Sequence, residues 1–303
     1  MKIAISGLGK MGAQIAHMLA SDGHEVIGHD LDRQTVDAVA ENGIAPAYDE
    51  QAVVDAFGGE PVVLWVMIPS QFIDDSITKW STLLPKGSIV IDGGNSDFRG
   101  DQKRSEELAA AGSHLLDIGT SGGVWGLENG FSMMIGGEES AFHTIEPILT
   151  TLAQPRGGYR YFGPSGSGHY VKMVHNAIEY GMMESLAEGY QMLREGPYAN
   201  LNLADAGDVW QQSSVVTSWL NDLTRQVMHE NPDLDGIEGV VAESGEARWT
   251  LEIAREHNVP MPAIQAALDV RVASEKNGVI DYHTKLLAAM RNKFGGHNID
   301  GKQ

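Results

Sequence analysis

The sequence predicts an α/β fold: a doubly wound, mostly parallel sheet followed by a second domain that is all-helical. Two observations carry this. In the first half, short runs rich in Val, Ile and Leu alternate with stretches of helical periodicity, the pattern of successive strand–helix–strand units. After a Gly/Ser-rich junction at 163–168 the strand signals stop and helical periodicity continues alone. A chain of 303 residues has room for two domains, and a hydrophobic content of 42% is ordinary for well-packed protein. The expected layout is a first domain over 1–163, a helical domain over 164–292 and a tail over 293–303.

Taken in order, residues 2–6, 25–29, 62–68, 89–92 and 114–118 are the expected strands of the parallel sheet, with 131–135 and 159–162 as later ones. An amphipathic helix carrying Ile15, Ala16 and Leu19 follows the first strand. In the second half, helices are expected near 167–195, 202–230, 244–257, 261–276 and 281–292. The first of these would be about 40 Å long at 1.5 Å per residue. Pro260 and Pro262 punctuate the start of a later helix.

Composition narrows the partners. A net charge of -20 repels polyanions, which argues against nucleic acid or an anionic membrane surface. No apolar run approaches the roughly 20 residues needed to span a bilayer. Met1-Lys2-Ile3 runs straight into a strand without the features of a targeting signal, so a cytoplasmic location is expected. Cysteine is absent, which removes disulfides and thiolate metal sites, and no metal-ligand spacing stands out elsewhere. An anionic ligand would require the few Arg and Lys residues to gather around it.

Gly7-Leu8-Gly9-Lys10-Met11-Gly12 lies between the opening strand and the first helix. Its glycines allow a tight turn, close backbone approach to a pyrophosphate and close helix–strand packing, with phosphate at the positive helix N-terminus. This is a dinucleotide-binding, Rossmann-type arrangement. The acid expected about 20 residues on is Asp30, whose carboxylate can accept both ribose hydroxyls and repels a 2′-phosphate, favouring NAD. Arg33 leaves NADP open.

Three expected loops after strands carry small and polar residues: Val66-Met67-Ile68-Pro69, Asp92-Gly93-Gly94-Asn95-Ser96 and Gly119-Thr120-Ser121-Gly122-Gly123. Ligands of open parallel sheets bind outside the carboxyl ends of the strands. Val66, Met67 and Asn95 are the expected cofactor-lining residues there. On the long helix, Lys172, His175, Asn176, Glu179 and Tyr180 fall at i, i+3, i+4, i+7 and i+8, within an arc of roughly 140°. Five groups able to bind or move protons share one face.

These residues resemble the β-hydroxyacid dehydrogenases and, within them, the decarboxylating 6-phosphogluconate dehydrogenases. The shared core is Gly168, Lys172 and Asn176 at four-residue spacing; the narrower likeness is the run from Lys172 to Tyr180, with Asp92-Gly93-Gly94-Asn95-Ser96 and Ser121-Gly122-Gly123. The resemblance covers essentially the whole chain, which looks like the short form without the duplicated helical half of longer relatives. It implies that Lys172 is the general base and Glu179 the acid, with His175 and Asn176 beside them. A free lysine titrates near about 10.4, so the base role needs desolvation or a positive neighbour. Asn95, Ser121, Gly122, Gly123 and Asn176 match positions that hold the substrate's hydroxyls and carboxylate.

Tyr180 matches a phosphate contact, as do Arg248 and Thr250 in Gly245-Glu246-Ala247-Arg248-Trp249-Thr250, and Arg271. Many relatives carry lysine where Arg248 stands. Arg291-Asn292-Lys293-Phe294-Gly295-Gly296-His297 resembles a C-terminal segment that, in relatives, reaches a neighbouring subunit's active site. The resemblance thus implies a phosphorylated sugar acid as substrate, NAD or NADP as cofactor, and a homodimer or homotetramer. Two other readings share parts of the pattern. A non-decarboxylating relative such as a 3-hydroxyisobutyrate dehydrogenase needs Lys172 and Asn176 but not the phosphate cluster. A non-catalytic dinucleotide-binding assembly protein has no use for an intact Lys172 and Glu179.

Overall fold

The computed structural model describes residues 1–198 and 200–299; residues 300–303 of the expected tail lie outside them. Contacts divide the chain into two compact units, Met1–Met173 and Val174–Gln303.

The first unit runs β1 (Lys2–Ser6), α1 (Lys10–Ser21), β2 (Glu25–His29), α2 (Arg33–Ala40), β3 (Ala45–Ala47), α3 (Glu50–Ala56), β4 (Val63–Val66), α4 (Ile73–Leu83), β5 (Ile89–Asp92), α5 (Asp101–Ala111), β6 (His114–Ser121), α6 (Gly126–Asn129), β7 (Ser132–Gly137), α7 (Glu139–Ala153) and β8 (Gly158–Gly163). The strands form one sheet in the order β3-β2-β1-β4-β5-β6-β7-β8. Every neighbouring pair is parallel except β6 with β7. The order reverses between β1 and β4, and that switch point is where an open α/β sheet opens its ligand crevice.

Alternation along each strand feeds two cores. Ile3 and Ile5 of β1 join Ile15 and Leu19 of α1 and Ile145 and Leu149 of α7 on one face. Ala4 between them joins Leu64, Val66, Ile77, Trp80 and Leu108 on the other. Successive residues of a strand point to opposite faces, so a sheet covered by helices on both sides needs the nearly unbroken apolar runs seen here.

The structure departs from expectation at several elements. Strand β3 was not expected, being three residues long with Pro46 in the middle; it is an edge strand, where a missing N–H is tolerated. Strand β6 continues to Ser121, so Gly119, Thr120 and Ser121 are not loop residues but pair with Met134, Met133 and Ser132 of β7. Of that segment only Gly122 and Gly123 lie beyond the strand, both at positive φ.

The helix α8 (Ser167–Glu195) begins in the first unit and continues into the second, which adds α9 (Leu203–Gln211), α10 (Trp219–Glu230), α11 (Glu246–Glu256), α12 (Pro262–Asn277) and α13 (Tyr282–Gly295). The segment expected as one helix over 202–230 is two, because Ser218 caps α10 afresh by accepting from Asn221 N–H. Helix α13 runs past 292 to Gly295, ending on Gly296 in the left-handed conformation. Met183, Ala187 and Tyr190 of α8 pack with Leu220, Val227, Leu286, Leu287 and Met290, and Ala177 and Tyr180 with Leu251, Ile264 and Leu268. Among the described residues no helix is long and apolar enough to cross a membrane.

A buried charge network fixes where α8 starts. Asp117, in the middle of β6 and fully buried, accepts from Gly166 N–H at 2.8 Å and His169 N–H at 3.0 Å. These are donors of the helix's first turn, which need an acceptor when shielded from water. His169 Nδ1 lies 2.7 Å from Asp101 Oδ2, and Asp101 Oδ1 accepts from Arg104 at 2.7 Å. Gly168 is a packing requirement, since a Cβ there would lie 2.4 Å from the Asp117 carbonyl oxygen and 2.5 Å from that of Met134.

Burial works against a charge on His169, but Asp101, Asp92 and Asp117 outweigh it and push the imidazole up to about 9. Burial pushes the Asp117 carboxyl up to about 6. Both groups bind their proton more tightly folded than unfolded, so each contributes stability at low pH that is lost as pH rises through the folded value. The His169 contribution is whole below its ordinary 6.5 and lost on approach to about 9. We therefore expect the Tm to fall as pH is raised across that window, with a shallower fall in His169→Asn. A flat or rising wild-type Tm there contradicts the assignment.

Candidate active site

Three glycines after β1 occupy three different situations. Gly7 has φ +94°, and a Cβ on it would lie 2.4 Å from the Met67 carbonyl oxygen. On Gly12 a Cβ would come 1.9 Å from the Gly7 carbonyl oxygen, so the helix sits directly on the turn. Gly9, the residue before α1, is exposed and a Cβ on it would meet nothing within 4 Å. Turn, packing and open approach are the three properties that a pyrophosphate cradle needs at a helix N-terminus.

Asp30 closes this loop from the end of β2. Its Oδ2 accepts from Leu8 N–H at 2.7 Å and its Oδ1 from Asp32 N–H at 2.9 Å. Leu8 is buried beneath the loop, Lys10 is exposed and Met11 half-buried. Arg33 lies over the Tyr48 ring, 5.1 Å from its centroid. Beyond β4 and β5 at the same sheet end, Val66 is buried, Met67 half-buried and Asn95 exposed. Asp92 Oδ1 accepts from Gly94 N–H at 3.1 Å and shapes the turn that presents Asn95. Ser121, Gly122 and Gly123 are half-buried at the end of β6.

Lys172 stands one helical turn after His169 and is 6% exposed. Its stem lies against β6 at Gly119, where a Cβ would come 2.2 Å from Lys172 Cβ and 2.7 Å from its Cγ. Glycine in the middle of that strand is thus what lets the lysine stem lie down on the sheet. Asp92, Asp101 and His169 each bring one ligand-type atom to within 4.8 Å of the others. Sequence spacing did not reveal that group. Its charge is balanced by the chain itself, through the His169–Asp101 contact and Arg104.

The second unit gathers another set. His175 Nδ1 lies 3.0 Å from Asn176 Oδ1, and Asn176 Nδ2 donates to Glu246 Oε1 at 2.9 Å. Ser244 Oγ donates to Glu246 Oε2 at 2.6 Å and lies 3.1 Å from the Tyr180 hydroxyl. The Tyr180 ring carries the Arg271 guanidinium 3.3 Å from its centroid, a cation–π contact inside the unit. Arg271 is 2% exposed, and its Nη2 reaches the Met183 sulfur at 3.5 Å. Burial pushes Arg271 down to about 10, and the neighbouring charge of Arg291 pushes the same way. Arg291 is itself lowered by burial, with Tyr180, Glu179, Glu246 and Glu275 opposing that shift.

The other expected site residues of this unit are placed as follows. Arg248 is exposed and ion-paired with Glu243. Thr250 is buried, its hydroxyl donating to the Glu246 carbonyl at 2.8 Å. Glu179 is half-buried. His297 is exposed, and its carbonyl accepts from Asn292 Nδ2 at 2.7 Å, which folds the start of the tail back onto α13. Sequence reasoning missed Asp101, Asp117 and His169 in the first unit and Ser244 and Glu246 in the second. The signal for Asp117 was available: a carboxylate between Leu116 and Ile118 of a buried strand requires a partner.

Comparison with known proteins places both parts of the chain in one family. The family model for the NAD-binding domain of 6-phosphogluconate dehydrogenase matches residues 2–164, and that for the 6-phosphogluconate dehydrogenase C-terminal domain matches residues 168–293. The NAD(+)-dependent, decarboxylating 6-phosphogluconate dehydrogenase of Haloferax volcanii is 36% identical over 304 residues, covering 100% of this chain and 99% of its own. The decarboxylating enzyme of Shigella flexneri is 32% identical over 313 residues, with 99% of this chain matched to 67% of that longer relative. Among solved structures, Plasmodium falciparum 6-phosphogluconate dehydrogenase, known apo, with NADP+ and with 6-phosphogluconate, matches with a TM-score of 0.79 at 27% identity, over 96% of this chain and 70% of that one. A Mycobacterium tuberculosis 3-hydroxyisobutyrate dehydrogenase shares the fold, with a TM-score of 0.73 at 20% identity over 94% of this chain and 97% of that one. With an NAD-binding first domain and a helical second one, this chain belongs to the 6-phosphogluconate dehydrogenase family.

Proposed function

We propose that this chain oxidatively decarboxylates 6-phospho-D-gluconate to D-ribulose 5-phosphate and CO2, with NAD as the preferred oxidant. The observation that carries the phosphorylated substrate is Arg271, 2% exposed on the Tyr180 ring with the charge of Arg291 close by. Cations withdrawn from water carry a desolvation cost that a bound dianion offsets. A small β-hydroxyacid would leave them without that counterion.

The glycine cradle fits the cofactor: Gly9 leaves open space at the start of α1, and Asp30 stands at the end of β2. Gly7, Leu8, Gly9, Lys10, Met11, Gly12, Val66, Met67 and Asn95 are the residues that would hold it. When bound, NAD supplies the hydride acceptor. Asp30 supports NAD over NADP because its carboxylate repels a 2′-phosphate, and Arg33, engaged with Tyr48, does not cancel that charge.

Lys172, as the neutral amine, takes the proton of the substrate's 3-hydroxyl as that carbon is oxidised. Its stem is pinned against Gly119, so the outer side chain alone has to adjust. The resulting 3-keto acid loses CO2 because the carbonyl accepts the electron pair, with Lys172 returning its proton to that oxygen; Glu179 in its acid form then delivers a proton to C1 of the enediol as the hydroxyl gives its proton back to Lys172. Asn95, Ser121, Gly122, Gly123, His175 and Asn176 hold the hydroxyls and carboxylate. Tyr180, Thr250, Arg271, Arg291 and His297 bind the phosphate, joined by Arg248 once it leaves Glu243. In a homodimer or homotetramer, His297 and the tail serve a neighbouring subunit's site, while Arg291 acts beside Arg271 of its own chain.

Purified protein with 6-phosphogluconate should yield reduced cofactor and CO2 in equal amounts, faster with NAD than with NADP. Reduction without CO2 would assign the chain to the non-decarboxylating dehydrogenases, and silence with both cofactors would make it a binding protein. Arg271→Gln should raise the KM for 6-phosphogluconate by roughly tenfold to a hundredfold, the worth of one charged hydrogen bond, with the KM for NAD unchanged. An unmoved KM would remove Arg271 from the phosphate site. The same measurement on a chain shortened after Gly296 tests the tail.

A further inference from the structure

Glu246 has no part in the reaction scheme above, yet it sits at the centre of the second unit's polar network. It is the first residue of α11, 2% exposed, and both oxygens are engaged, Oε1 by Asn176 Nδ2 at 2.9 Å and Oε2 by Ser244 Oγ at 2.6 Å. A carboxylate only accepts. That one property sets the direction of every hydrogen bond connected to it.

Along one arm, Asn176 must turn its NH2 toward Glu246, which leaves Oδ1 as the atom 3.0 Å from His175 Nδ1. An amide oxygen cannot donate, so His175 donates from Nδ1. The neutral imidazole therefore carries its proton on Nδ1 and its lone pair on Nε2. Along the other arm, Ser244 Oγ gives its proton to Glu246, so the Tyr180 hydroxyl, 3.1 Å away, must donate to Ser244 Oγ. The same phenol oxygen accepts Ser244 N–H at 3.1 Å. The Tyr180 hydroxyl thus exchanges hydrogen bonds with Ser244, which a bound phosphate has to replace, and its ring face meets Arg271.

We propose that Glu246 is a positioning residue that selects the Nδ1–H tautomer of His175, so that Nε2 meets a substrate hydroxyl as an acceptor. The link from tautomer to turnover rests on the assignment of His175 and Asn176 to the sugar acid. Glutamine at 246 has one acceptor oxygen and one donor nitrogen, so it cannot accept from both Asn176 and Ser244. Where the Asn176 amide inverts in response, its NH2 faces His175 Nδ1 and drives the ring to the Nε2–H form.

The test is the ¹⁵N spectrum of histidine-labelled protein without ligands, with the His175 signals identified by their loss in His175→Gln. Wild type should show His175 as the Nδ1–H tautomer, and Glu246→Gln should populate the Nε2–H form. In the same variant kcat with 6-phosphogluconate should fall roughly tenfold to a hundredfold, the scale of a misplaced catalytic contact, while NAD binding and Tm stay close to wild type. An Nε2–H tautomer in wild type overturns the proposal, and this arm does not depend on the variant folding. An unchanged tautomer and kcat in folded Glu246→Gln overturn it as well. If wild type shows the Nδ1–H form but does not turn over 6-phosphogluconate, the functional reading fails while the tautomer assignment stands.

Discussion

Asp117 reaches from the middle of β6 to take the N–H groups of Gly166 and His169, at 2.8 and 3.0 Å, and so fixes the point on the sheet from which α8 departs. The chemistry proposed for this chain depends on that anchor. His169 adds a second tie through Asp101, and Gly168 allows the helix backbone to touch the strands. One turn later Lys172 emerges with its stem on Gly119. A lysine on a free helix would have four rotatable bonds to order; here part of that entropy is removed by packing. The buried ions beneath it form a cluster in which His169 and Arg104 offset the aspartates, which makes a desolvated set of charges tolerable.

Electrostatics explains how a chain with a net charge of -20 can serve an anionic substrate. Many of the Lys and Arg side chains are exposed, where salt screens them, but Arg271 is buried. Arg271 is enclosed and stacked on an aromatic ring, with Arg291 near enough to depress it. Exposed Arg248 instead pairs with an acid of its own unit. Acidity over the whole surface is then compatible with a strongly local attraction, because interactions in a low-dielectric pocket outweigh distant repulsion screened by water.

The alternation of strands and helices in the first half was legible because apolar periodicity reports burial directly, and the glycine run with Asp30 was legible because each glycine answers a separate steric need. Less legible was anything set by contacts between distant segments. Strand β3 is too short to leave a periodic signal, and β6 hides its extension because Gly119, Thr120 and Ser121 look like a turn until β7 is seen to pair with them. Glycine at 119 is explained by Lys172, 53 positions away in the chain (172 minus 119). The face of α8 from Lys172 to Tyr180 could be found from spacing alone, but its support could not. Asp101 and Glu246 look like ordinary acids in the sequence, and Asp117 shows only that it needs a partner; all three become significant through the partners brought in by the fold.

The most direct test of the α8 face is Lys172→Ala, followed by calorimetric NAD binding and by single-turnover cofactor reduction with 6-phosphogluconate. We expect NAD affinity close to wild type and a reduction rate lower by a factor on the order of 10² to 10⁴, the range supplied by a positioned proton acceptor. Reduction at the wild-type rate in that variant would contradict it.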